Sequence, residues 1–422
     1  MKKLFLMLFT ASVVFAQQQE FRFIHRAGEK IRFLGIVNQR VWYLPSLDPR
    51  ISILEAALSS RFPWVMVQNV QMLNRIQQET LEVDQAGRGR LRGIFQITQQ
   101  KIVQGESQPI FYLAEEYESE FWRDTRGRYE IRAGTVMPVV RGVPTFPENP
   151  SAEWQEAGEE YHDLSREFGL TTPLRVPVRV QYRRMPRAMF QGQEYDTFLA
   201  EYSFEVPTNI RPSGSRLGQS FPTTFAGKTV MRIYWDPQKG RQVYYEEDYV
   251  LAMRLSNGNV FRFEGDSSAQ IIEAPPMDRE REAERIRETL RETGQPDIQV
   301  EPNERGVTIQ LPDNFIRFDP DSAVLQPSEQ RKLDQIAEIL RRYPDRDLLI
   351  EGHTALAGTE SGRQTLSEER ARAVGSYLIQ RGVRTPERLT YRGWGANRPL
   401  APNDTPENRA RNRRVEITIL EN

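Results

Sequence analysis

Apolar and polar residues alternate with a period of two through much of residues 21–274, the pattern of strands with one face buried. Val176, Val178, Val180 and Tyr182 are separated by Pro177, Arg179 and Gln181. Val230, Arg232 and Tyr234 alternate with Met231, Ile233 and Trp235, and the stretch runs into Asp236-Pro237-Gln238-Lys239-Gly240. Gln242-Val243-Tyr244-Tyr245 then resumes, which predicts a hairpin with a longer loop. A second hairpin is predicted where Ser256-Asn257-Gly258-Asn259 joins Val250–Leu255 to Val260–Phe263, since Asn-Gly favours a tight turn. The aromatic residues from Tyr234 to Tyr249 read as core rather than as a ligand platform.

From residue 297 the period changes to strands alternating with amphipathic helices, a compact α/β arrangement. Val307, Ile309 and Leu311 form a strand pattern. Pro327 opens a helix with Leu333, Ile336, Ala337 and Leu340 on one face, and Pro344 ends it. Leu348-Leu349-Ile350 reads as a short buried strand. Thr365 with Glu368 has the spacing of a capping box, predicting that the next helix opens there with Ala371, Val374 and Leu378 inward and Gly382 as its left-handed cap. Residues 388–392 and the alternation Val415, Ile417, Ile419 complete the strands.

Between these regions, residues 278–293 are rich in Glu and Arg, with only Ala283, Ile286 and Leu290 as a narrow apolar stripe. This reads as a solvated spacer helix held by side-chain pairs three and four residues apart. Pro144-Thr145-Phe146-Pro147-Glu148-Asn149-Pro150 and Pro275-Pro276 are the natural boundaries, since closely spaced prolines resist helix and central strand alike. The expected organisation is a leader at 1–16, β-rich domains at 17–146 and 147–276, a charged linker helix at 277–296 and an α/β domain at 297–422. The expected class is therefore α+β overall: a mostly-β, sandwich-like or barrel-like first part followed by an α/β sandwich. The leader rests on Lys2 and Lys3, the apolar run Leu4–Ala16, and Val14 and Ala16 before a polar Gln17-Gln18-Gln19. That is the form of a secretory signal, and no later stretch has the length of a membrane-spanning helix.

Composition narrows the chemistry. A formal net charge of −1 gives no footprint for nucleic acid, and the absence of cysteine removes disulfides, thiol catalysis and thiolate metal sites. His25, His162 and His353 are too scattered for a zinc site, so neither a metal nor a cofactor is expected. His162 beside Asp163 reads as a surface or loop residue, because no nucleophile accompanies it. His353 reads as a loop-shaping hydrogen-bonding residue rather than a base. Gly227-Lys228-Thr229 lacks the leading glycine of a phosphate loop and reads as a β-turn feeding the strand at Val230.

Five short pieces in order carry a resemblance: Phe318–Leu325; Glu351-Gly352-His353-Thr354; Leu366-Ser367 with Arg370, Ala371 and Val374; Gly393-Trp394-Gly395 with Pro399; and Asn408, Arg409 with Asn412–Glu416. Together they resemble the OmpA-like peptidoglycan-binding family, over residues 297–422. In outline, the whole chain resembles multi-domain treponemal proteins that end in this module. The resemblance implies a mixed sheet backed by helices, a periplasmic location associated with the outer membrane or cell wall, and a non-catalytic role. The implied ligand is the peptidoglycan stem peptide, commonly through diaminopimelate. Arg370 matches the family's carboxylate-gripping arginine, Arg413 a second binding arginine, and Asp321 and Thr354 pocket-lining positions. With Arg370 expected in the first turns of its helix, free N–H groups and the macrodipole would add to the attraction for an anion.

Two positions depart from the family. Ala355 stands where it has an aspartate pairing the ligand ammonium, and Arg363 where it has an asparagine. Losing one partner of a buried ion pair typically costs a few kcal/mol. Three readings stay open: a weak or dead site, a carboxylate supplied by Glu360 or Asp321, or a different stem peptide. Three readings of the whole chain also stay open. One is an envelope scaffold whose β-rich part binds another envelope component. The second is an outer-membrane β-barrel with a wall-binding tail, which the prolines and the arginines on both strand faces disfavour. The third is a wall-processing enzyme, for which residues 21–274 offer no catalytic constellation.

Overall fold

In the computed structural model, residues 21–101, 109–131, 144–148, 150–162, 164, 168, 174–208, 220–272 and 276–421 are described. The leader, Asn149, Asp163 and Pro275 lie outside the described residues.

Among the described residues, eleven strands build the first part: β1 (Lys30–Leu44), β2 (Val65–Val83), β3 (Gly89–Lys101), β4 (Ile110–Arg123), β5 (Tyr129–Glu130), β6 (Glu153–His162), β7 (Leu174–Phe190), β8 (Gln193–Pro207), β9 (Pro222–Asp236), β10 (Arg241–Leu255) and β11 (Val260–Ile271). A short helix α1 (Ile53–Leu58) sits between β1 and β2. The strand order is β4-β3-β2-β1-β11-β10-β9-β8-β7-β6, with neighbours antiparallel.

The two expected β-rich domains are therefore one sheet. β1 pairs with β11 from Phe33↔Ile271 to Leu44↔Val260, across the proposed boundary. The proline-rich stretch is no linker either: Phe146 is fully buried, its N–H donates to Arg126 O, and its ring meets Trp235 at 4.9 Å. Strand periodicity specifies which residues face inward but not which edges meet. Val176, Val178, Val180 and Tyr182 do face the core of this part, with Met231, Ile233 and Trp235. Both hairpins form, with Gly240 and Gly258 at positive φ in their loops. Gly227-Lys228-Thr229 lies inside β9 rather than in a turn; a Cβ at Gly227 would come within 2.7 Å of Phe204 and Leu251.

Exposed positions of the sheet carry cross-strand ion pairs such as Arg183–Glu153, Arg92–Glu118 and Arg232–Glu246. The sheet does not close on itself among the described residues, because β4 pairs onward with a strand of the C-terminal part. Among the described residues no helix is long and apolar enough to cross a membrane.

The C-terminal part comprises α2 (Arg279–Glu292), β12 (Gln299–Asn303), β13 (Gly306–Pro312), α3 (Pro327–Arg341), β14 (Leu348–His353), α4 (Glu360–Gln380), a 3₁₀ turn (Pro386–Arg388), β15 (Leu389–Gly393), α5 (Pro406–Asn412) and β16 (Arg414–Leu420). Strand order is β12-β13-β16-β14-β15, parallel only between β14 and β15. Val307, Ile309, Ile350, Leu389, Ile417 and Ile419 meet the buried faces of α3 and α4. Gly352 permits the close approach of α4, since a Cβ there would fall 2.0 Å from Ser367 O.

The charged helix α2 is not a free spacer. Its narrow stripe, Ala283, Ile286 and Leu290, is buried in this same core, and Tyr343 Oη donates to Glu282 at 2.9 Å. Three well-spaced apolar residues suffice to dock a helix whose remaining surface is solvated. The two parts also join: β15 pairs in parallel with β4 at Thr390↔Phe111 and Tyr391↔Tyr112, and Ile110 enters the C-terminal core. Asp347, 2% exposed, accepts Arg75 Nε from β2 at 3.0 Å and Arg388 Nε at 2.9 Å.

Candidate functional site

The site assembles where β13, β14 and β16 meet the loop 313–326 and helix α4. The helix opens at Glu360 with Thr359 as N-cap, its hydroxyl accepting from Gly362 N–H at 3.1 Å, so the predicted capping box at Thr365 lies inside the helix. Residues 359–364 lack an apolar stripe that would have signalled a helix start. Consequently Arg370 is the eleventh residue of α4, not a first-turn residue, and the expected help from the helix N-terminus does not reach it.

Arg370 is buried, 7% exposed. Its Nε donates to Ser322 O at 3.0 Å and its Nη2 to Asp319 O at 3.2 Å, while the guanidinium lies over the Phe318 ring at 5.0 Å. Asp321, in the left-handed region at φ 50°, turns the loop so that these two carbonyls face the helix. Among the described residues Nη1 of Arg370 is left without a hydrogen-bond acceptor. Burial pushes the Arg370 guanidinium below its ordinary value; Asp313 and Asp321 offset this and Arg413 adds to it. The structure thus brings Arg370, Arg413 and Asp321 into one charged neighbourhood. Its fourth member, Asp313, was not anticipated. Its carboxylate accepts Arg413 Nε at 2.8 Å and Nη2 at 2.7 Å. Nothing in the local sequence singles Asp313 out, because the contact joins residues a hundred positions apart.

Thr354 follows β14, and His353 pairs with Arg414, so Thr354 and Arg413 leave the sheet at the same end. The Thr354 N–H donates to Gly395 O at 2.9 Å, while its hydroxyl is buried without a partner. Ala355 is buried beside it, 6% exposed. Arg363 turns back on its own loop, Nη1 donating to Gly358 O at 2.6 Å. Glu360 is exposed in the first turn of α4 and about 15 Å along the axis from Arg370. It does not join the cluster.

The histidine expectations change. His353 is 2% exposed, and neither ring nitrogen has a hydrogen-bond partner; Nε2 lies 3.7 Å from Glu416 Oε2. Burial pushes His353 below its ordinary value. Burial also pushes Glu416 up, but His353 and Arg414 outweigh it and hold the carboxyl at about 2. His162, expected at the surface, is buried with Nε2 2.7 Å from Glu160 Oε2 and its ring against Phe225. A histidine flanked by polar residues carries no local sign of burial. Among the described residues no group of three or more His, Asp or Glu is placed to hold a metal ion.

Other signature residues serve the frame. Asn412, fully buried, accepts Leu400 and Ala401 N–H and donates to Ala401 O at 2.8 Å and Asn403 Oδ1 at 3.0 Å. Trp394 is sandwiched between Arg392 and Arg398, and its indole N–H donates to Glu351 at 2.6 Å.

The family model for OmpA matches residues 317–413, which include Phe318, Arg370 and Arg413. This segment belongs to the OmpA family. The OmpA-family domain is similar to Outer membrane protein A of Bordetella avium, 42% identical over 24% of this chain and 53% of that protein. It is similar to peptidoglycan-binding protein ArfA of Mycobacterium tuberculosis H37Rv, 40% identical over 25% of this chain and 32% of that protein. Among solved structures it is similar to an outer membrane protein from Borrelia burgdorferi B31, 39% identical over 29% of this chain and 96% of that chain, with TM-score 0.25. The chain thus spans about half of the Bordetella protein and a third of the mycobacterial one.

Proposed function

We propose that this is a non-catalytic envelope protein that contacts peptidoglycan through its OmpA-family domain, in the periplasm, while the β-rich part faces another envelope component. The observation that carries this reading is the cluster of Arg370, Arg413 and Asp321 inside the segment that matches the family, with Asp313 just before it. It is supported by the mycobacterial relative, which is named a peptidoglycan-binding protein. In this reading Arg370 Nη1 and the exposed edge of Arg413 receive a stem-peptide carboxylate, and Asp321 and Thr354 border it. The ligand ammonium finds a methyl at Ala355, so affinity falls by a hundredfold or more, the order expected for one missing partner of a buried ion pair.

A second reading is favoured by two observations. Nε and Nη2 of Arg370 are already used by loop carbonyls, and Ala355 offers no charge. The domain then serves as a protein-interaction scaffold that no longer holds diaminopimelate.

Retention of the whole mature chain on purified diaminopimelate-containing sacculi separates the two. Wall contact through the pocket predicts measurable retention, stronger for Ala355→Asp and weaker for Arg413→Ala. Equal retention of all three, or none for any, rejects it in favour of the scaffold. Release of muropeptides from the sacculi would reject the non-catalytic assignment.

A further inference from the structure

The outward face of β1–β4 is a polar grid. The register sets Arg32 beside Gln77, Gln77 beside Ile94 and Ile94 beside Glu118, and the next row sets Arg75 beside Gln96 and Gln96 beside Glu116. The C-terminal part roofs this grid. Asp347 takes Arg75, and Arg305, from the β12–β13 turn, reaches Glu116 at 2.7 Å. Between floor and roof lies a cleft of about 470 Å³, within the range that small ligands occupy.

Two guanidinium groups line this cleft, and one of them has a buried donor without a partner among the described residues. Arg305 uses Nη2 on Glu116, but its Nη1 is buried with no hydrogen-bond partner. Arg32 makes no side-chain hydrogen bond or ion pair among the described residues. Burial pushes it down to about 10, Glu421 and Asp347 acting against this and Arg346 with it. The two lie around the same residue: Glu421 N–H donates to Arg305 O at 2.7 Å, and its charge reaches Arg32. The buried Arg305 N–H without an acceptor costs free energy that a bound acceptor recovers, half-buried Arg32 has no side-chain partner among the described residues to displace, and a guanidinium is matched best by a planar two-oxygen group. Between the arginines and the far wall, Gln77 and Ile94 offer an amide and an apolar contact.

We propose that this cleft binds the free carboxylate of a short peptide, held between Arg32 and Arg305. The site lies on a different face from the Arg370 cluster and does not depend on the wall-binding reading. Calorimetric titration of the whole mature chain with N-acetyl-Ala-Ala, with its C-terminal amide and with succinate tests it. The free acid is expected to bind at least tenfold more tightly than the amide, and Arg32→Gln to weaken the acid at least tenfold. Arg32→Lys, which keeps the charge but loses the fork, is expected to fall between. Tighter binding of succinate than of the peptide acid would overturn the peptide assignment. Equal binding of acid and amide, no binding of either, or unchanged affinity in folded Arg32→Gln and Arg32→Lys would overturn the site.

Discussion

Ile110→Ala tests whether the two parts of the chain form one folded unit. Ile110 begins β4 of the N-terminal sheet, yet it is fully buried in the core of the OmpA-family domain. It stands so close to α4 that a Cβ on Gly375 would lie 2.9 Å from its Cδ1. The substitution removes the distal methyl groups from a site whose walls are strands and a helix with little freedom to collapse. Large-to-small changes of this kind cost about 3 kcal/mol, within a range of 2–5. Where exchange proceeds by opening of the C-terminal core, about 3 kcal/mol speeds amide exchange by roughly two powers of ten. Hydrogen-exchange mass spectrometry of peptides covering β14 and β15, 238 or more residues away in sequence, reads this directly. Exchange that rises in β3 and β4 but stays unchanged in β14 and β15 would refute the argument that an N-terminal side chain completes the C-terminal core.

Three further outcomes are expected. Asp347→Ala leaves Arg75, whose side chain is 11% exposed, without its carboxylate; it should destabilise the chain by about 3–5 kcal/mol in urea titration, and a change below 1 kcal/mol would contradict that pairing. Glu416 is held at about 2 against an ordinary 4.5. Its contribution, up to about 3 kcal/mol, is therefore present above pH 4.5 and lost as pH falls toward 2. Glu416→Gln should flatten that part of the stability–pH curve, and an unchanged acid limb would remove Glu416 as its source. Asn412→Ala strands the N–H groups of Leu400 and Ala401; a loss of about 2–4 kcal/mol in thermal or urea melts is expected, and a near-neutral result would mean that water replaces the amide.

Much of the fold was legible because it is local. The alternation at Val176–Tyr182, the Asn-Gly hairpin, the Pro327 helix and the left-handed Gly382 each depend on neighbours within a few residues, and each formed. The family signature was also legible, because its pieces occur in order. The start of α4 was not, since Thr365-x-x-Glu368 has the spacing of a cap whether or not a helix begins there, and the true cap at Thr359 precedes a weakly patterned turn.

By itself, the chain's order of residues determined its periods, its turns, the identity of the C-terminal domain and the charges available to a site. Tertiary structure alone decided the rest. It joined β1 to β11 and β4 to β15, making one sheet of two expected β domains and tying that sheet to the C-terminal part. It buried His162 and His353, docked α2, and brought Asp313 to Arg413. The physical reason is common to all of these. Burial and pairing at long separation depend on which surfaces meet, and a strand's edge or a charged side chain carries no local mark of its partner.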